Sequence, residues 1–320
     1  MADTRTPNGK PFSRRDMLAL GAGIGVAAAF RNAPSSAAAG PILSRPIPRT
    51  GERLPVVGLG TAIVFDIGDD AARRAERRAV IQAMLEGGGR VIDTAPSYGT
   101  AEVVVGDLLA AAGARAKVFL ASKLRVAGRE AAIAEMQASL KRLRTDKLDL
   151  MQIHNPDTDM GATGAQLALL REWKDKGVFR YVGVTHFQEA ANERLVELMQ
   201  REKLDFVQVN YSMAERSAER HLLAAAADTG TAVLVNLPFA RGMLFSAVRG
   251  KQIPDWAAEF DATSWGQFFL KYILAHEAVT CVIPGTDKPE YMLDNLNAAR
   301  GRMPDAAMRR RMTEFLATLA

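Results

Sequence analysis

The sequence predicts an α/β protein, a single-domain (β/α)8 (TIM) barrel over residues 40–320, on three observations. Eight short runs rich in β-branched residues alternate with longer segments of helical period, which is the pattern of successive strand–helix units and a parallel sheet. The chain has 320 residues, 48% of them hydrophobic, enough to bury one large core in a single barrel. The first run, Val56-Val57-Gly58-Leu59-Gly60, is not followed by Gly-x-Gly-x-x-Gly, the phosphate-binding turn expected of an open doubly wound sheet.

The eight expected strands are Val56 to Gly60, Arg90 to Thr94, Lys117 to Ser122, Leu148 to His154, Tyr181 to Thr185, Phe206 to Tyr211, Ala232 to Asn236 and Thr280 to Pro284. Between them, Ile133, Met136, Leu140 and Leu143 recur at helical spacing, as do Trp265, Phe268, Phe269, Tyr272 and Ile273. Each set makes one apolar helix face. Residues 41–54, rich in Pro and Arg, precede the first strand and suit a hairpin under the barrel floor. The stretch from Asn236 to Asp261 is the one long strand-to-helix connection, and long connections in compact domains are usually functional. A last helix, Asp305 to Leu319, is expected outside the barrel.

Residues 1–39 read as an address. Ser13-Arg14-Arg15-Asp16 leads into an apolar, Gly-containing run, Ala19 to Phe30, and then a small-residue stretch ending Ala37-Ala38-Ala39. A charged start, a short apolar region and an Ala-x-Ala site make a cleavable signal, and the paired arginines resemble a twin-arginine signal. The apolar run is shorter than the roughly 20 residues of a membrane span, so no stable anchor is expected. The expected location is periplasmic or otherwise exported, with the twin-arginine machinery as partner. Export by that route carries folded proteins.

Charge and cysteine content exclude several classes. The formal charge is +5, but residues 1–39 hold five basic residues against two acidic ones, so the remainder carries only +2. No basic run follows, and a nucleic-acid footprint is not expected. Cys281 is the only cysteine, which rules out an intramolecular disulfide, a redox pair and a cysteine zinc cluster. Four histidines without a His-x-His pair give no metal set either, so a metal-dependent hydrolase lacks its ligands.

In such a barrel the site lies at the C-terminal ends of the strands. Strand two ends in Asp93, with Tyr98 in the loop beyond; strand three is followed by Lys123, and strand four ends in His154. An acid, a phenol, an amine and an imidazole thus meet at one rim. A phenol with an ordinary pKa of about 10 is a weak acid unless a cation lowers it. Lys123 supplies that cation, Asp93 pairs with Lys123, and His154 polarises or orients an oxygen that gains charge. These are the parts of carbonyl reduction.

The same positions carry a family resemblance. Gly58-Leu59-Gly60-Thr61-Ala62, Asp93-Thr94-Ala95 with Tyr98-Gly99, Ala121-Ser122-Lys123, Ile153-His154-Asn155-Pro156, Val182-Gly183-Val184-Thr185-His186-Phe187, Gln208-Val209-Asn210-Tyr211 and Ile283-Pro284-Gly285-Thr286 resemble, in order, the aldo/keto reductases. The resemblance spans about residues 47–300 and implies Tyr98 as proton donor, Lys123 and Asp93 as its supporting pair, and His154 as the substrate-orienting group. It implies NADP(H), with NAD(H) not excluded, lying across the barrel mouth, and a small-molecule aldehyde or ketone as partner. The positions it assigns to the cofactor are Thr61, Ala62, Asp93, Thr185, His186, Gln208, Asn236, Arg241, Gly285, Lys288 and Asn295.

Three positions depart from the family pattern. Strand five ends Thr185-His186 where Ser-Asn is usual for the nicotinamide amide, and Asn236 stands where an aromatic often stacks under the nicotinamide. Tyr291 aligns with an arginine that often grips the 2'-phosphate, leaving Lys288 to supply that charge. These departures motivate an alternative, a regulatory or scaffold barrel that binds cofactor with little turnover.

Overall fold

A computed structural model describes residues 41–156 and 159–319, all within one unit, Gly40–Ala320. The signal expected over residues 1–39 lies outside the described residues.

The eight barrel strands are β3 (Leu59–Gly60), β4 (Val91–Asp93), β5 (Phe119–Leu124), β6 (Leu148–His154), β7 (Phe179–His186), β8 (Phe206–Asn210), β9 (Ala232–Asn236) and β10 (Val279–Val282). They pair in parallel and in sequence order from β3 to β10. Closure comes from parallel bridges Val57 to Val282 and Gly60 to Gly285. Gly58 N donates to Val282 O at 2.9 Å, Val282 N to Val56 O at 2.9 Å, and Gly60 N to Pro284 O at 3.1 Å. The expected fold is the observed one. The first strand is shorter than the expected Val56 to Gly60 because residues 56–58 serve this closing seam rather than the pairing with β4. Lys117, expected to open a strand, ends a 3-10 turn, Arg115–Lys117.

A hairpin, β1 (Ser44–Pro46) with β2 (Arg53–Pro55), precedes the barrel as expected. Its Ile47 and Leu54 are buried in one cluster with inward side chains of the strands, among them Val91, Phe119, Leu150, Phe206 and Leu234. Arg45 fastens the hairpin by donating to the carbonyls of Leu274 at 2.6 Å and His276 at 2.8 Å. Cys281 belongs to the same interior cluster; burial pushes its thiol pKa up, which makes it unreactive.

Helices follow each strand. They are α1 (Ala71–Glu86), α2 (Ala101–Ala111), α3 (Arg129–Arg142), α4 (Met160–Asp175), α5 (Asn192–Glu202), α6 (Leu222–Thr229), α7 (Met243–Ala247), α8 (Trp265–Leu274), α9 (Pro289–Asn297) and α10 (Ala306–Ala317). Local chemistry sets several starts. Asp70, Asp159, Ser264 and Asp305 cap α1, α4, α8 and α10 by accepting first-turn N–H groups, and Pro289 opens α9. Of the apolar faces read from the sequence, Met136 and Leu143 at α3 and Phe268, Phe269, Tyr272 and Ile273 on α8 are buried, while Ile133, Leu140 and Trp265 are half-buried.

The last helix is outside the strands and is clamped through one arginine. Arg309 donates to Glu219 Oε1 at 2.5 Å and to the Tyr211 hydroxyl at 2.6 Å, and Tyr272 donates to the same Glu219 oxygen at 2.8 Å. The long connection after β9 folds into a turn at Ala240–Gly242, helix α7 and a 3-10 segment, Asp255–Phe260. Leu237, Ala240 and Arg241 all have φ near +50°. Left-handed backbone costs energy in a residue with a side chain, so this segment stores strain next to the barrel mouth.

Candidate active site

Strand alternation builds the site. Side chains two residues apart point the same way, so the parity that sends Val91, Ala121, Leu150, Phe206 and Leu234 into the barrel also sends Asp93, Lys123, Gln152, Gln208 and Asn236 inward, one step nearer the C-terminal end. The interior is therefore apolar at the hairpin end and polar at the mouth.

Asp93 is the centre of the polar layer. Its Oδ2 is 2.5 Å from Lys123 Nζ, and its Oδ1 accepts from Gln208 Nε2 at 2.7 Å and Gln152 Nε2 at 3.1 Å. Lys123 also donates to Thr94 O at 2.9 Å. Burial opposes the charge on Lys123, but Asp93 and the Tyr98 phenol outweigh it and hold the ammonium above its usual range.

Tyr98 sits on the loop after β4, held by its N–H to Ala95 O at 3.1 Å. Its ring centroid lies 4.8 Å from Lys123 Nζ, and its edge meets the His154 ring at 88° with centroids 6.0 Å apart. His154 is depressed to about 3, first by burial and then by the charge of Lys123, with Arg125 and His186 adding to it. The imidazole is neutral at physiological pH. Its Nδ1 lies 3.5 Å from the Ser97 hydroxyl. The structure thus brings together all four residues singled out at the rim: Asp93, Tyr98, Lys123 and His154.

The other predicted positions lie within and around the polar layer. Thr185 and Asn236 join the polar layer, both donating to Gln208 Oε1, at 3.0 and 3.3 Å. Asn236 Oδ1 is buried with no hydrogen-bond partner among the described residues. Thr61 uses both its N–H and its hydroxyl on Asp93 O, each at 3.0 Å, so it fastens β3 to β4 at the site. His186 accepts from Gln188 N at Nδ1, 3.0 Å, which leaves the proton on Nε2, and stacks on Phe187 with centroids 5.7 Å apart.

Farther out, Ala62 and Gly285 are exposed, and Asn295 is buried on α9. Arg241 is exposed, its guanidinium 5.4 Å from the Phe187 ring centroid, which ties the long loop to the end of β7. Lys288 pairs with Glu76 at 3.2 Å, while Tyr291 stands largely in solvent. Gln152 was not among the predicted positions. It is wholly buried, and its place two residues before His154 on β6 was the available signal.

Eight parallel strands with alternating helices and a buried Asp–Lys pair under a tyrosine and a neutral histidine define an oxidoreductase barrel. Residues 56–313 match the Aldo/keto reductase family, and the chain belongs to it. It is 32% identical over 234 residues to methylglyoxal reductase YeaE of Escherichia coli K12, covering 72% of this chain and 80% of that one. It is 31% identical over 227 residues to aldo-keto reductase YhdN of Bacillus subtilis 168, covering 66% and 65%. An aldo/keto reductase from Klebsiella pneumoniae, solved with NADP and acetate, superposes with a TM-score of 0.69 at 25% identity, over 83% of this chain and 93% of that one. The protein is an NAD(P)H-dependent oxidoreductase of this family.

Proposed function

We propose that the protein reduces an aldehyde or ketone carbonyl of a small molecule to the alcohol, with NADPH as hydride source and Tyr98 as proton donor. The observation that carries this reading is the position of Lys123: a buried ammonium, anchored by Asp93 at 2.5 Å, with the Tyr98 ring centroid 4.8 Å away. A cation so placed stabilises the phenolate that remains after the proton leaves. The neutral His154 donates a hydrogen bond to the carbonyl oxygen without adding a charge that would compete with Lys123.

The residues present fit a nicotinamide dinucleotide. Asn236 Oδ1 is a buried acceptor at the mouth with no donor among the described residues, suited to an amide N–H of the nicotinamide. Thr185 shares Gln208 Oε1 with Asn236, His186 follows Thr185 at the end of β7, and Arg241 and Lys288 would supply positive charge for phosphates. When bound, the cofactor supplies the hydride. The complete set of Asp93, Tyr98, Lys123 and His154 favours turnover over a barrel that only holds cofactor.

Tyr98→Phe tests the reading. It should lose about 100-fold or more of the aldehyde-dependent NADPH oxidation while still shifting NADPH fluorescence. A fully active Tyr98→Phe enzyme would overturn the proton-donor assignment.

Residues 1–39 support export through the twin-arginine pathway as a separate proposal. Replacing Arg14 and Arg15 by Lys should retain the protein in the cytoplasmic fraction. Unchanged fractionation would sink that proposal. Among the described residues no helix is long and apolar enough to cross a membrane.

A further inference from the structure

The Asp93 carboxylate has only acceptor atoms, and this fixes the direction of two neighbouring amides. Gln152 and Gln208 must both turn their NH2 groups toward it, at 3.1 and 2.7 Å from Oδ1. Gln152 Oε1 then faces Gln208 Nε2 at 3.3 Å, and Gln208 Oε1 faces away, toward Thr185 and Asn236. Gln208 turns its oxygen toward Thr185 and Asn236, whereas Gln152 bonds Asp93 and Gln208. Gln152 is fully buried, directly across the β5–β6 pairing from Lys123. A buried primary amide in a barrel interior is costly unless its bonds are used, and here one end donates to Asp93, which anchors Lys123, while the other accepts from Gln208 Nε2.

We propose that Gln152 is a positioning residue for the proton transfer: it holds Asp93 toward Lys123 and partly offsets the carboxylate's negative charge, so that the ammonium's field reaches the Tyr98 phenol. The inference rests on the reading of Tyr98 as proton donor. Its physical basis is that an N–H dipole pointing at a carboxylate places partial positive charge beside it, and in a dry interior that charge is poorly screened. Without the Gln152 N–H, Asp93 presents more of its charge, the net field at Tyr98 is less positive, and the phenol becomes a weaker acid. The ionisable groups facing this cluster are Asp93 from β4, Tyr98 from the following loop, Lys123 from β5, His154 from β6 and Cys281 from β10, with Arg125 and His186 at its rim.

Gln152→Met is the test, since methionine keeps the length and removes the donor; Gln152→Leu is a second route to the same loss if the first variant does not fold. The phenolate of Tyr98 is titrated by ultraviolet difference absorbance, each variant against its Tyr98→Phe partner, so the measurement needs no turnover. Tyr98 should titrate about half a pH unit higher without the Gln152 donor. With a panel of aromatic aldehydes and NADPH, kcat should fall and the alkaline limb of its pH profile should move up by the same interval, with KM for NADPH unchanged. A Tyr98 titration identical to that of the unsubstituted protein overturns the proposal, and a lower melting temperature with no such shift reduces Gln152 to packing. A fully active Tyr98→Phe enzyme would instead remove the reading beneath it, an outcome separate from either.

Discussion

Lys123 Nζ stands 2.5 Å from Asp93 Oδ2, with both side chains almost entirely withdrawn from solvent. Removing one member of a buried ion pair strands the other, at a typical cost of about 3–5 kcal/mol. The Gln152 and Gln208 donors remain on Asp93 in Lys123→Met, so the low end of that range is expected in urea denaturation. Turnover should drop by about 100- to 10,000-fold, with NADPH binding retained in a fluorescence titration. Comparable kcat in the variant would show that the phenol does not depend on this ammonium.

The histidine at the rim gives a pH prediction of definite sign. His154 is depressed from 6.5 to about 3, so the folded state resists a proton that the unfolded chain accepts. The neutral ring's contribution to stability is complete above pH 6.5 and is lost as pH falls toward 3. Two outcomes follow. The kcat/KM profile should show no limb from His154 between pH 5 and 7, and His154→Gln should lose less stability than the unsubstituted protein as pH falls through the window below 6.5. An activity limb near pH 6.5 that vanishes in His154→Gln would refute the neutral assignment.

Gly183 is expected to resist substitution. It pairs with Phe206 across β7 and β8, and a Cβ at this position would lie 2.4 Å from Phe206 O. Backbone cannot move aside as a flexible side chain can, so Gly183→Ala should cost about 1–3 kcal/mol or more, read from the denaturation midpoint. Unaltered stability would mean that the two strands part more easily than their pairing indicates.

Lys288, expected to serve a 2'-phosphate, is engaged by Glu76 at 3.2 Å. Both side chains are partly exposed, so the pair is weak and a phosphate can compete for the lysine. Glu76→Gln should release Lys288 and tighten NADPH relative to NADH by roughly two- to fivefold, with the gain diminishing as salt is raised. An unchanged ratio of the two dissociation constants would place the 2'-phosphate elsewhere.

The fold and the four rim residues were legible because both depend on strand alternation, which the sequence displays. Leu150, Gln152 and His154 show it within a single strand: one parity, with apolar residues deeper and polar ones nearer the mouth. What stayed hidden depends on contacts between distant strands. The engagement of Gln208 by Thr185, Asn236, Gln152 and Asp93 joins four other strands, and no local pattern announces it. The short first strand was equally unreadable, because whether Val56 and Val57 pair with a neighbour or close the barrel is decided some 225 residues later, at Val282. Lys288 looked available because Glu76, its partner, lies on a helix at the opposite end of the chain.

The inward parity of β6 has a consequence for how errors in folding would be felt. A slip of one residue in that strand would turn Gln152 and His154 out among the helices and bring Met151 and Ile153 into the lumen. Asp93 would lose an amide, Tyr98 its imidazole neighbour, and the helix layer two apolar anchors. A misregistered barrel would therefore be inactive for the same reason that it is unstable, and recovery of activity would serve as a direct assay of correct strand alignment.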